Sequence, residues 1–540
     1  MYFLGVLGQF AAAHPWVMAA NVVFLAALPM NDILLPHLYG RLVDAIKNRR
    51  TFMGVFATIV AVLVAVQGLS LLSDWHDTFM TPAFQGFVRT SILRTLFDHH
   101  QTAYSELSIG HLLTLLIKSP NTLLSLFNQV KDHLLPYVAL FVSAIAYFSS
   151  FDWVLSVVIA CVVALLIALL VISPRSCAGV SAEKASLYSR LQDEVDDLLR
   201  NLLSVYTTDR VEPEIERING FDREHQLGCR RTMRCALMFK AVGFPIIIAL
   251  LAFFMYRCHT LVARGRMGTG AFVSLLLIVL SMTSNLMWCV DVIRDIVFDY
   301  GFLVHAERQL AQSKLLPRAG GSATPPPHAD GAGLSHVSFR YPGMPNDSLS
   351  DVTFHFKPGE RVVVVGPIGA GKSTLTKLMA KLLLPTRGDL YLNGRWYADM
   401  TPSEVRRHVG YVPQQPVLFN RSVYENLRYG NDASDADIDA LVADLDVARE
   451  FEALPEGMRT VIGKGGSKLS GGQRQLVWCL RTLLSAPEVV LMDEPTASMD
   501  DATKRTLERV LDKLTENKIV IIISHDEFMV RQATRVVHLA

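Results

Sequence analysis

Apolar residues gather along the first half of the chain into six blocks, at residues 16–38, 52–72, 134–148, 153–172, 239–256 and 270–290. A helix needs about 20 residues to cross the hydrocarbon of a bilayer, so each block predicts a transmembrane helix. The third is the shortest. Trp16 and Trp153 open two blocks, and Tyr147 and Tyr256 lie near the ends of others, as in an interfacial aromatic belt. Two of the polar connections are long, 73–133 and 173–238, and carry apolar residues at helical spacing among charges, as in Val195-Asp-Asp-Leu-Leu-Arg-Asn-Leu-Leu203. They predict transmembrane helices that run far out of the membrane and turn back. Inserted domains would need strands and glycine turns that these stretches lack. Two long and three short connections put the long ones on one side, together with both termini.

Past Gly301 the chain stays helical and polar, then loosens in the Gly-, Ser- and Pro-rich run 318–328, a linker by composition. From Leu334 strands alternate with helices. The expected division is a membrane domain at 1–311, a linker at 312–333 and a separate α/β domain at 334–540.

Composition agrees with this pattern. Of 540 residues, 51% are hydrophobic and 19% charged, which suits a membrane protein with a soluble part. The net charge of +1 implies no nucleic-acid partner. Seven scattered cysteines lack metal-ligand spacing and are expected to be free thiols. The first apolar block is too long for a signal-peptide core and is expected to remain as an anchor. Arg41, Lys47, Arg49 and Arg50 crowd the first short loop, which a positive-inside count would place in the cytosol. The nucleotide motif described below and the even number of spans place both termini there instead. Asp32, His37 and Asn285 are the polar exceptions within the spans, where an ionisable group is a candidate for substrate contact or for water-accessible interface.

The chemistry lies in the α/β domain. Gly366-Pro-Ile-Gly-Ala-Gly-Lys-Ser-Thr374 follows the apolar strand Arg361-Val-Val-Val-Val365 and fits a phosphate-binding loop. Its backbone N–H groups and the following helix N-terminus suit phosphates, with Lys372 as a point charge and Ser373 as a Mg²⁺ ligand. A second strand, Val489-Val-Leu-Met492, ends in Asp493-Glu494. Asp493 could hold Mg²⁺ through water, and Glu494 could polarise an attacking water. Between them, Leu469-Ser-Gly-Gly-Gln473 opens an apolar helix, a second anion site. One domain needs only one γ-phosphate cradle; two domains paired head to tail would use both.

Together these motifs resemble those of ABC transporters, in particular the exporter-type half-transporter with six transmembrane helices fused to one P-loop ATPase domain. The resemblance covers essentially the whole chain, and the Leu469–Gln473 signature is specific to that family. It implies an ATP hydrolase coupled to export, working as a dimer with two composite sites. Tyr341 resembles the aromatic that stacks on adenine; Gln414 the glutamine that contacts Mg²⁺ and the attacking water; Asp500 the interface aspartate; His525 the switch histidine. With them the implied nucleotide site comprises Gly366, Pro367, Ile368, Gly369, Ala370, Gly371, Lys372, Ser373, Thr374, Ser470, Gly471, Gly472 and Gln473. Glu494, Gln414 and His525 are the implied catalytic set, and Ser373, Gln414 and Asp493 the metal set. Stretches at 99–104 and 203–208 resemble coupling helices. Two positions depart from the family pattern: Ile368 stands where Ser or Asn is usual, and Lys464 where Glu is usual. The chain also ends at Ala540 without the usual helical tail. ATP and Mg²⁺ are the implied cofactors. A second half-transporter, as homodimer or heterodimer, membrane lipids and a transported small molecule, lipid or peptide are the implied partners. The nucleotide-binding domain is expected in the cytosol. A nucleotide-gated channel or regulatory membrane subunit of the same fold is the alternative.

Overall fold

The computed structural model describes residues 2–99, 109–265, 267–312, 326–497 and 499–539. These form two compact units, one helical and one α/β.

In the first unit six helices are long and apolar enough to span a membrane: Pro15–Lys47, Met53–Asp98, Leu115–Ser149, Trp153–Arg200, Val211–Ala263 and Thr269–Ala311. The chain is therefore a multi-pass integral membrane protein. Three of its helices, Met53–His99, Trp153–Arg200 and Val211–Ala263, are continuous over 47, 48 and 53 residues. At 1.5 Å per residue the longest reaches about 80 Å, far more than a bilayer needs, so the long polar connections are extensions of the spans. A six-residue helix, Leu202–Thr207, turns the chain between two of them. The other expected turn lies, from His100 onward, outside the described residues. Asp152 caps the fourth span by accepting from Val154 N–H at 3.1 Å and pairs with Arg257 of the fifth, which fixes the tight turn.

The third span starts at Leu115 rather than near residue 134. Its upstream half carries charges that hide it from an apolar-block reading, and a π-helical turn, Gln129–Leu134, joins the two halves. The first span contains a matching π-turn, Met30–Leu34. Both turns precede a proline, Pro36 and Pro136, and in each case the proline ring would crowd the carbonyl four residues back, at Asp32 and Asp132. A widened turn relieves that clash. The two sites share a local sequence, Asp32-Ile-Leu-Leu-Pro-His37 and Asp132-His-Leu-Leu-Pro-Tyr137.

An additional helix, Tyr2–Ala13, buries Phe3, Val6 and Phe10 along one stripe. It lies outside the six predicted blocks. The cysteine expectation is also corrected: Cys177 and Cys235 form a disulfide between the fourth and fifth spans. Their separation of 58 residues conceals two helices packed side by side, as the Thr232 hydroxyl on the Val180 carbonyl also records.

Among its described residues the second unit carries nine strands: β1 Ala332–Phe339, β2 Leu349–Phe356, β3 Arg361–Val365, β4 Arg387–Leu392, β5 Arg395–Trp396, β6 Val409–Val412, β7 Val489–Asp493, β8 Ile519–Ile523 and β9 Arg535–His538. An antiparallel sheet has the order β2-β1-β4-β5, and a parallel sheet the order β6-β7-β8-β3-β9. β7 and β8 are fully buried, and their near-continuous Val, Leu and Ile runs are those of strands covered on both faces. One core layer holds Val364, Leu375, Leu491 and Ile521, the other Val363, Leu476, Val490 and Ile522. Because β7, β8 and β3 are parallel neighbours, their carboxyl ends emerge side by side. Ligand-binding loops of open α/β sheets collect at such ends.

Candidate functional site

The loop after β3 turns into the helix Lys372–Met379 through Gly369 and Gly371, whose φ values are 89° and 81°. Residues with a side chain rarely adopt that region. At Gly371 a Cβ would also lie 2.2 Å from the Ser348 carbonyl oxygen, and at Gly366 one would lie 2.3 Å from that of Leu539. Glycine is thus required both for curling the loop and for bringing other backbone against it. Lys372 is buried and donates to the carbonyls of Gly366 and Pro367 at 2.8 and 2.9 Å, which holds its ammonium inside the curl. Thr374 bonds Tyr341, 3.3 Å between hydroxyls, and Tyr341 packs edge-on against Phe339 at 4.8 Å. Pro367, Ala370 and Ser373 complete the loop, and Ile368 is 98% exposed at its tip.

β7 delivers the acidic pair. Asp493 is buried, and burial pushes its carboxyl above the ordinary range, opposed by a hydrogen bond from the Ser373 side chain. A hydroxyl and a carboxylate converging here are hard oxygen donors, the type Mg²⁺ prefers. Glu494 has φ 47°, a strained value for a non-glycine residue, and its N–H donates to the Ile523 carbonyl at the end of β8. Gln414, after β6, donates from Nε2 to Glu494 Oε2 at 2.9 Å. His525 is exposed directly after β8.

Ser470 caps the helix Gly471–Leu484 in a reciprocal box: its hydroxyl accepts from Gln473 N–H, and Gln473 Oε1 accepts from Ser470 N–H at 2.9 Å. Gly471 and Gly472 form the first turn of that helix, and Gln473 Nε2 donates to the Glu450 carbonyl at 2.5 Å. Asp500 caps the helix Asp501–Thr515, and the Thr503 N–H it accepts holds its carboxyl below the usual range. Among the described residues no hydrogen bond joins Ser470, Gln473 or His525 to the phosphate loop. Gln414 meets Glu494 and Ser373 meets Asp493 at the carboxyl ends of the strands, and no such bond brings in the signature group.

Sequence reasoning missed Gln475, which is buried on the same helix and donates to the Pro413 carbonyl at 3.3 Å. It ties the signature helix to the segment that presents Gln414. A polar residue on an otherwise apolar helix face was the available signal.

Known proteins share both units. The ABC transporter transmembrane region family matches residues 18–286, and the ABC transporter family matches 349–497. The chain is 26% identical to ATP-binding cassette sub-family B member 6 of Rattus norvegicus, over 92% of this chain and 60% of that protein. It is 26% identical to the mitochondrial potassium channel ATP-binding subunit of Homo sapiens, over 98% of this chain and 74% of the relative. A bacterial Atm1-family ABC exporter solved with ATP bound shares the fold, with a TM-score of 0.84 at 20% identity over 98% of this chain and 94% of that one. With the transmembrane region and the nucleotide-binding domain matched in one polypeptide, the chain belongs to the ABC transporter family.

Proposed function

We propose that this protein is a half-transporter that dimerises and uses ATP hydrolysis to move a substrate across a membrane. The proposed division is a transmembrane domain at 1–311, a linker at 312–333 and a nucleotide-binding domain at 334–540 on the cytosolic side. In this reading the loop from Gly366 to Thr374 cradles the phosphates, Lys372 meets the β- and γ-phosphates, and Tyr341 stacks on adenine. Ser373, Asp493 and Gln414 would hold Mg²⁺, which supplies charge neutralisation for the leaving phosphate. Glu494 accepts a proton from the attacking water, Gln414 orients that water, and His525 faces the γ-phosphate.

The signature residues Ser470 to Gln473 and Asp500 would act on the nucleotide held by the other subunit. The observation that carries the reading is the 2.9 Å bond between Gln414 and Glu494, beside the Ser373–Asp493 contact. Residues from three segments reach one point with a base, a metal pair and a phosphate cradle. A homodimer would have two hydrolytic sites, since each chain carries the complete set.

Glu494→Gln tests it. The variant should bind ATP but lose turnover by roughly 10²-fold or more, the contribution expected of a general base. Turnover equal to the parent would remove Glu494 from that role. The channel-subunit name of the human relative favours one second reading, a regulatory membrane subunit. Inside-out vesicles separate the two: ATP-dependent uptake of a compound supports a pump, and a steady ion current without uptake supports the regulatory subunit.

A further inference from the structure

The repeated Asp-x-Leu-Leu-Pro turns meet at a cavity within the membrane unit. This cavity, about 430 Å³, lies among the first three spans and is lined by Asn21, Asn31, Gln67, Lys131, Asp132 and Tyr137, with apolar residues such as Phe24 and Leu28. A second cavity of about 440 Å³ shares His133 and Tyr137 with it and is otherwise largely apolar, walled by Phe127, Leu170, Trp288 and their neighbours. Both volumes fall in the range of small-molecule sites, about 300–1,000 Å³.

The charged groups are biased toward carboxylates. Lys131, the cation of the first cavity, is only 6% exposed and is neutralised within the protein: its Nζ lies 2.5 and 2.6 Å from the Asp77 oxygens and 3.1 Å from Asp132. Two carboxylates face one ammonium, and of the three side chains Asp132 is the most open, 39% exposed. Asn31 uses its amide nitrogen on Asp32 at 2.7 Å, and Asn21 uses its own on the Val17 carbonyl at 3.2 Å. Asp32 accepts a second amide bond from Asn285 at 2.5 Å, adding another carboxylate behind the wall. In the second cavity no Lys or Arg is among the lining residues, Glu307 contributes a carboxylate, and the buried Gln129 Oε1 has no hydrogen-bond partner among the described residues.

We propose that these neighbouring cavities, which share His133 and Tyr137 in their walls, bind an amphipathic organic cation. Its charged head meets Asp132 and the amide oxygens, and its apolar body extends past His133 and Tyr137 into the second chamber. An anionic head would face two carboxylates, Asp77 and Asp132, against the one Lys131 ammonium, an excess of negative charge across a low-dielectric wall. The inference rests on the transport reading only for calling the ligand a cargo; the binding site stands without it.

The probe is tetraphenylphosphonium, with tetraphenylborate as a counterpart of the same shape and opposite charge. Equilibrium binding is measured on the full chain in zwitterionic lipid nanodiscs without nucleotide. Saturable binding of the cation, undisplaced by the borate, is expected. Asp132→Asn should weaken it by about tenfold, the low end of what a close charge pair contributes at a buried interface. Leu28→Trp, which narrows the first cavity, should weaken it too, and supplies the test even if the Asn variant is too unstable to assay. Binding absent from the parent, unchanged in the variants, or competed equally by the borate overturns the proposal. ATP turnover of the parent is measured separately: hydrolysis with export of another compound but no cation binding defeats the cavity assignment alone. Cation binding without hydrolysis defeats the transport reading alone.

Discussion

At the scale of single residues, the phosphate loop and the acidic pair make opposite demands on stability. Gly371 combines a φ of 81° with a backbone oxygen 2.2 Å from where a Cβ would be. Gly371→Ala should cost about 1–3 kcal/mol from the strained φ alone, with the clash adding to it, and should abolish nucleotide binding. A melt that drops together with loss of the ATP-induced shift would verify this; a normal melt would mean that the loop can relax. Asp493 behaves differently, because burial raises its carboxyl above the unfolded value of about 3.9. The folded state then binds the proton more tightly, so this group's contribution to stability declines as pH climbs from the unfolded value through the raised one. Asp493→Asn should accordingly melt higher than the ligand-free parent at neutral pH, and the gain should vanish below about pH 4. A gain independent of pH would mean that charge is not its source.

At the scale of elements, the site depends on a strand that contributes little chemistry of its own. β8 lies between β7 and β3, and Ile521 at its centre is fully buried. Ile521→Ala should cost about 2–5 kcal/mol through the cavity left behind. It should also reduce ATP affinity, because the Glu494 N–H hangs on the Ile523 carbonyl. Urea unfolding and ATP titration on the same sample separate the two effects. The strands that carry the site, β3 and β7, were legible in the sequence because apolar runs bounded by glycine and acidic turns have few other structures open to them. The membrane elements were only partly so. A block search found the apolar halves of the spans but placed the start of the third near residue 134, since Lys131 and Asp132 look like solvent-facing charges until Asp77 is seen beside Lys131. The disulfide was hidden in the same way, as a contact between residues distant along the chain.

At the scale of the whole molecule, one chain carries two anion-type helix starts, at Lys372 and Gly471, with no hydrogen bond between Ser470 or Gln473 and the phosphate loop among the described residues, which predicts a site completed between subunits. Lys372→Ala and Ser470→Ala chains should each be inactive alone. Co-reconstituted, they should regain partial turnover, because a mixed pair restores one site made of the intact Lys372 of one chain and the intact Ser470 of the other. ATPase assays across mixing ratios would record it; no recovery at any ratio would place both halves of the site in one chain. The order of motifs, the six apolar blocks and the strand-loop-helix around Lys372 were determined by the sequence alone. Each is encoded in residues close together along the chain, where periodicity and glycine placement act directly. Which polar groups meet was decided only by the tertiary structure: Gln414 on Glu494, Ser373 on Asp493, Lys131 on Asp77. Those contacts arise because parallel strands align their ends and helices pack at close range, and no local pattern records which distant side chain that packing will bring near.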